Sequence, residues 1–213
     1  MIKYLKNKIV GLFQNNNSDS DTDKNLETSI KQMHIPARKK YESVNIIPDN
    51  YDSNKITILI LEDFSPFIDV IILELSKIIC LDKVNIIKAD TQYGALNALN
   101  ALDSIKVDFA FCDITLGGMV FDGNTIKEYD GIDVFEKIMK TNPEAKVKIL
   151  TGHNLNSDKL EITDAIHKFN DITEKLHLDI TLDSVYINKR SNRSNMYYDL
   201  INAMGNEYDE ISA

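Results

Sequence analysis

From residue 56 onward the apolar positions alternate between two rhythms. Ile56-Thr57-Ile58-Leu59-Ile60-Leu61 is a near-continuous apolar run of strand length, as in a parallel strand buried on both faces, and it stops at Glu62-Asp63. Ser65 then offers an N-cap with Pro66 at the first helical position, and Ile68, Ile71, Ile72, Leu75, Ile78 and Ile79 follow at helical spacing. The same unit recurs. Val84–Ile87 reads as a strand, with Leu96, Leu99 and Leu102 on a helix, and Val107–Cys112 as a strand, with Ile132, Phe135, Ile138 and Met139 on a helix. Val147–Leu150 precedes a long helix bearing Ile162, Ala165, Ile166, Phe169, Ile172 and Leu176, and Val185–Ile187 precedes one bearing Met196, Leu200, Ile201 and Met204. Five strand-helix units in series predict an α/β domain, a doubly wound five-stranded parallel sheet flanked by helices on both faces.

The first 54 residues lack this rhythm and read as a largely irregular N-terminal extension. Ile2, Leu5, Ile9, Leu12 and Phe13, interleaved with lysines, predict a short amphipathic basic helix over 2–13, suited to a membrane surface or a partner. Residues 14–23 carry no apolar side chain, a composition that does not repay ordering entropy, and read as a flexible linker. Residues 26–54 read as an extended lead-in.

Charge sharpens this division. The chain has 33 acidic and 24 basic residues, a net charge of −9. The first 54 residues hold eight basic and seven acidic side chains, leaving 16 basic and 26 acidic for the rest, so the acidity belongs to the α/β region. Such a balance argues against gripping a phosphate backbone, which rests on Lys and Arg displacing counterions, so no nucleic-acid partner is expected. The two cysteines, Cys80 and Cys112, form no metal-ligand or disulfide spacing, no apolar run reaches a membrane span, and Lys3, Lys6 and Lys8 interrupt any signal-peptide core. A cytoplasmic protein is expected, with membrane contact only through residues 2–13.

The chemistry-bearing residues stand just past the strand ends, where an open α/β sheet forms its ligand crevice. Glu62 and Asp63 follow the first strand, Asp113 the third, Thr151 the fourth and Lys189 the fifth. Crowded carboxylates favour a hard divalent cation, and Mg²⁺ takes carboxylate, carbonyl and water oxygens. One such carboxylate can attack a phosphoryl group, and the Thr151 hydroxyl and Lys189 ammonium can bind the phosphoryl oxygens.

This ordered set resembles the receiver domain of two-component response regulators, over about Lys55 to Asn206. The resemblance implies a flavodoxin-like receiver fold, with domains at 1–54 (extension), 55–206 (receiver) and 207–213 (tail). It implies that Asp113 accepts a phosphoryl group from a sensor histidine kinase or histidine phosphotransfer protein. Glu62 through water, Asp63, Asp113 and the Thr115 carbonyl would hold Mg²⁺. Thr151 and Lys189 would bind the phosphoryl group, Thr151 and Tyr186 would act as switch residues, and Gly152 would keep the site open. Asp130-Gly131 matches the turn into the third helix. Since residues 190–213 supply only a fifth helix and a tail, a stand-alone response regulator is expected. It would be a phosphoprotein of phosphorelay signal transduction, acting on a downstream protein target rather than as an enzyme.

Taken singly these residues are unremarked: Glu-Asp after a strand is more often a cap or solvated loop, and Tyr186 suits a half-buried strand position without any switching role. Three features depart from the family. Residues 114–129 lengthen the loop after Asp113, and Gly117-Gly118 with Asp122-Gly123 suggest a small hairpin in it. The stretch from Thr151 to Lys189 is also long, and Arg190-Ser191 stands where the family has proline, leaving no cis bond to fix the lysine. A second reading is a pseudo-receiver, a phosphorylation-independent protein-interaction module contacting partners through the long loop. A third, a haloacid-dehalogenase-like phosphatase, is disfavoured because Thr115 stands where the second aspartate belongs. His153 reads as a solvated loop residue at the mouth of the site, and Cys112 as packing; His34, His167 and His177 are scattered.

Overall fold

The computed structural model describes residues 46–77, 79–122, 125–153, 155 and 160–189. The expected helix at 2–13, the linker at 14–23, the fifth helix bearing Met196 to Met204, Arg190-Ser191 and the tail at 207–213 lie outside the described residues.

The strands are β1 (Ile56–Leu61), β2 (Val84–Ala89), β3 (Phe109–Asp113), β6 (Lys146–Thr151) and β7 (Tyr186–Asn188), which pair in parallel in the order β2-β1-β3-β6-β7. Between them run α1 (Ser65–Leu75), α2 (Gln92–Ala101), α3 (Gly131–Thr141), α4 (Leu160–Lys175) and the single turn α5 (Leu182–Val185). Alternate strand residues feed opposite cores, as the pleat requires. Ile58, Ile60, Phe109, Phe111, Leu150 and Ile187 pack with Ile68, Ile71 and Leu75 of α1. Leu59, Leu61, Ala110, Cys112, Val147 and Ile149 pack with α2, α3 and α4 on the other face, where the Phe135 and Phe169 rings stack at 4.9 Å. Among the described residues no helix is long and apolar enough to cross a membrane.

Three local expectations are corrected. The N-cap of α1 is Phe64 rather than Ser65, because the Phe67 N–H bonds the Phe64 carbonyl and draws the first turn one residue back. On α2 the buried stripe is Gly94, Ala95, Ala98 and Leu102, while Leu96 and Leu99 are only half-buried. The helix lies so close that a Cβ on Gly94 would stand 3.1 Å from the Ala89 backbone, so small side chains form the contact. Val185 belongs to the α5 turn, not to β7.

The long loop after β3 does contain a hairpin, β4 (Val120–Asp122) paired antiparallel with β5 (Thr125–Lys127). At the opposite end of the sheet, Asn85 clasps Asp52: its amide donates to the Asp52 carbonyl at 2.7 Å and accepts from the Asp52 N–H at 3.0 Å.

Candidate functional site

Strand register assembles the site. Leu61 pairs with Cys112, Asp113 with Leu150, and Thr151 with Asn188, so Glu62, Asp113, Thr151 and Lys189 emerge side by side at the carboxyl edge of β1, β3, β6 and β7. Glu62 and Asp113 are buried and Asp63 is exposed. The Lys189 ammonium donates to Glu62 Oε1 at 3.0 Å, to Glu62 Oε2 at 2.8 Å and to Asp113 Oδ2 at 2.7 Å, and it also lies 5.5 Å from the Phe67 ring centroid. The lysine is anchored through its backbone as well, its N–H bonding the Thr151 carbonyl at 2.9 Å. That strand-like bond holds Lys189 in place within an all-trans described backbone.

Burial raises the Glu62 carboxyl above the ordinary range, with the Asp113 charge adding to it and Lys189 opposing. Burial likewise raises Asp113 against the opposing pull of Lys189. For Lys189, burial works against the charged form, but the hydrogen bonds to Asp113 and Glu62 outweigh it and the group is raised. Two carboxylates out of water thus depend on one ammonium.

The approach to Asp113 is shaped by backbone. A Cβ on Gly131 would stand 2.3 Å from the Asp113 carbonyl oxygen and 2.8 Å from its carbon, so only glycine fits at the start of α3. Asp130 caps that helix through a reciprocal box with Asp133, and Lys168 of α4 donates to Asp130 Oδ2 at 2.9 Å and pairs with Asp133 Oδ1 at 2.7 Å. Burial and then the Asp133 charge raise the Asp130 carboxyl.

On the other side, the Thr151 hydroxyl oxygen accepts the His153 N–H at 3.1 Å, and the Tyr186 hydroxyl donates to the His153 carbonyl at 2.9 Å. Thr151 is buried and Tyr186 half-buried. Cys112 packs in the core on the α2–α4 face, where burial pushes its thiol far up.

Glu62, Asp63 and Asp113 each bring a carboxylate oxygen within 4.8 Å of the others. Three hard oxygen donors at that spacing, two of them already bound to a cationic side chain, fit a hard divalent cation. The Thr115 N–H faces Asp113 Oδ1 at 3.4 Å, and the Gly117 N–H bonds Asp63 Oδ2 at 2.7 Å, so the long loop reaches the acidic group directly.

No family model matches the chain, and no curated protein matches it. Among solved structures it is similar to a CheY-like response regulator receiver domain protein from Methanospirillum hungatei JF-1, at 20% identity over 73% of this chain and 95% of that one, with a TM-score of 0.45. A signal receiver domain of an HD domain-containing protein from Pseudomonas fluorescens Pf-5 is similar at 17% identity over 73% and 98%, TM-score 0.46. The BeF3-activated DrrB receiver domain is similar at 15% identity over 70% and 97%, TM-score 0.46. The chain carries the doubly wound, flavodoxin-like strand order β2-β1-β3-β6-β7.

Within this fold, the residues singled out from sequence fall into two groups. Glu62 and Asp113 both bind Lys189, with Asp63 beside them; Thr151 and Tyr186 meet through the backbone of His153. Thr115 is exposed on the loop after Asp113. Two residues at the site carried no sequence signal. Gln92 and Lys168 are ordinary helix residues whose partners lie 24 to 38 positions away along the chain.

Proposed function

We propose that the chain is a response regulator, with a receiver at 55–206 behind an extension at 1–54 and before a tail at 207–213, that accepts a phosphoryl group on Asp113. The observation that carries this reading is the contact of Lys189 with both Glu62 and Asp113 at the strand ends, with Thr151 on the adjoining strand. The donor would be a sensor histidine kinase or a histidine phosphotransfer protein, and the reader a downstream protein in the cytoplasm, with no nucleic acid involved.

An Asp113 carboxylate oxygen adds to phosphorus, the P–N bond of phosphohistidine breaks, and the bonding pair stays on the departing imidazole; the product is an acyl phosphate. Glu62, Asp63, Asp113 and the Thr115 carbonyl are the groups that would hold Mg²⁺. When bound, the cation neutralises the crowded carboxylates and the charge on the transferring oxygens. Lys189, released from one carboxylate, pairs with a phosphoryl oxygen. Gly131 keeps side-chain bulk away from the Asp113 backbone.

The signal leaves through His153. Thr151 accepts the His153 N–H now, and its hydroxyl proton is available to a phosphoryl oxygen. Turning toward the phosphoryl group loosens that bond and displaces the residue whose carbonyl holds Tyr186. Phosphorylation thereby shifts the population of conformations around β7 and α4 and changes which proteins bind there. The chain is a phosphoryl acceptor, with self-phosphotransfer and autodephosphorylation as its only chemistry. Incubation with phosphorylated histidine phosphotransfer protein tests the reading: label moves to the wild-type chain and not to Asp113→Asn, and equal labelling of the two would refute it.

A further inference from the structure

Gln92, the first residue of α2, is buried among polar backbone groups of the long loop. Its amide nitrogen donates to the Leu116 carbonyl at 2.9 Å and to the Tyr129 carbonyl at 2.8 Å, and its oxygen accepts the Tyr129 N–H at 2.7 Å. One side chain thus closes the base of the insertion that carries the β4–β5 hairpin, with both of its donors and its acceptor engaged.

Leu116 and Gly117 share a peptide unit. The carbonyl side of that peptide is held by Gln92, and the N–H side donates to Asp63 Oδ2 at 2.7 Å. A trans peptide is planar, with C=O and N–H pointing in opposite directions, so fixing one end fixes the aim of the other. Hydrogen bonds in series through an amide also polarise one another. The local sequence suits this bridge. A Cβ on Gly117 would stand 3.1 Å from Asp63 Oδ2, and Gly118 adopts a φ of +93°, open to glycine, as the chain turns into the hairpin.

We propose that Gln92 is a positioning residue for Asp63, acting through the Leu116–Gly117 peptide to orient the carboxylate and set its affinity for a divalent cation. The inference rests on the reading of Asp63 as a metal ligand. Groups that hold a ligand in place commonly change metal affinity on the order of 10-fold or more when removed.

The test uses the full chain, MgCl2 as probe, calorimetry for affinity and amide resonances for the bridge. Gln92→Glu keeps the acceptor for Tyr129 and loses both donors; it is expected to weaken Mg²⁺ binding about 10-fold and to move the Gly117 amide resonance in metal-free protein. In an Asp63→Ala background the same change is expected to alter Mg²⁺ affinity by less than about twofold. Unchanged affinity in Gln92→Glu, or an equal loss in both backgrounds, overturns the proposal, the second outcome marking a merely structural role. Should Gln92→Glu not fold, the wild-type chain decides: MgCl2 must shift the Gln92 side-chain amide resonances together with that of Gly117, and a Gln92 signal that stays still overturns it. Wild-type chain that binds no Mg²⁺ at all defeats the metal reading instead; the bridge is then judged by whether Asp63→Ala moves the Gln92 amide resonances, and no movement overturns it.

Discussion

Lys189 chelates Glu62, its ammonium standing 3.0 Å from Oε1 and 2.8 Å from Oε2 of a carboxylate fully shielded from solvent. The same nitrogen reaches Asp113, so one cation answers two buried acids. The strength of the site and its pH response both follow from that sharing.

Removing the cation exposes the cost of the acids. Glu62 and Asp113 are already raised by burial, so the stability they contribute is full below the ordinary carboxylate range and is lost as pH rises through their raised values. Lys189→Met raises both further. Its stability, followed by thermal melting, is expected to lie near wild type at pH 5 and to fall below it at pH 8, by about 3 kcal/mol in metal-free buffer. Parallel melting curves across that range would count against the shared pairing.

Gly131 sets a steric limit. The atoms nearest an added Cβ are backbone atoms of Asp113 and Cys112, which no side-chain rotation can move away. Gly131→Ala is expected to cost about 2 kcal/mol or more, the range of overpacked sites, and to slow phosphate uptake by displacing Asp113. Denaturant unfolding and single-turnover labelling report the two effects separately.

Lys168 joins α4 to the cap of α3 through Asp130 and Asp133. About a third of its side chain is exposed, so Lys168→Ala is expected to cost only about 1 kcal/mol. Loss of the pairing leaves Asp130 and Asp133 facing each other, and the amides of the first turn of α3 should exchange faster with solvent. Unaltered exchange there would show that the cap does not depend on α4.

Much of this was legible in the chain because a parallel sheet is built from local signals. The run Ile56–Leu61 has its full extent in the structure, and the acidic pair after it lands beside Asp113 because parallel register carries adjacent strand ends to one edge. What was not legible was set by distance and size. The leucines of α2 outweighed Ala95 and Ala98 in the sequence pattern, yet close packing against Ala89 selects the small residues. Ser65 looked like a cap, but the backbone turn at Phe64 preceded it. Gln92 has no periodic signature; its meaning comes from carbonyls at Leu116 and Tyr129 that only the folded loop brings to it.

The central claim, that Asp113 is a phosphoryl acceptor, is tested most directly by incubating the chain with acetyl phosphate and MgCl2 and measuring the mass of the intact protein. Wild type is expected to gain one phosphoryl group, lost on chelation of Mg²⁺ before the reaction and absent in Asp113→Asn. Equal uptake by wild type and Asp113→Asn, or none by a folded wild-type chain, would contradict the account.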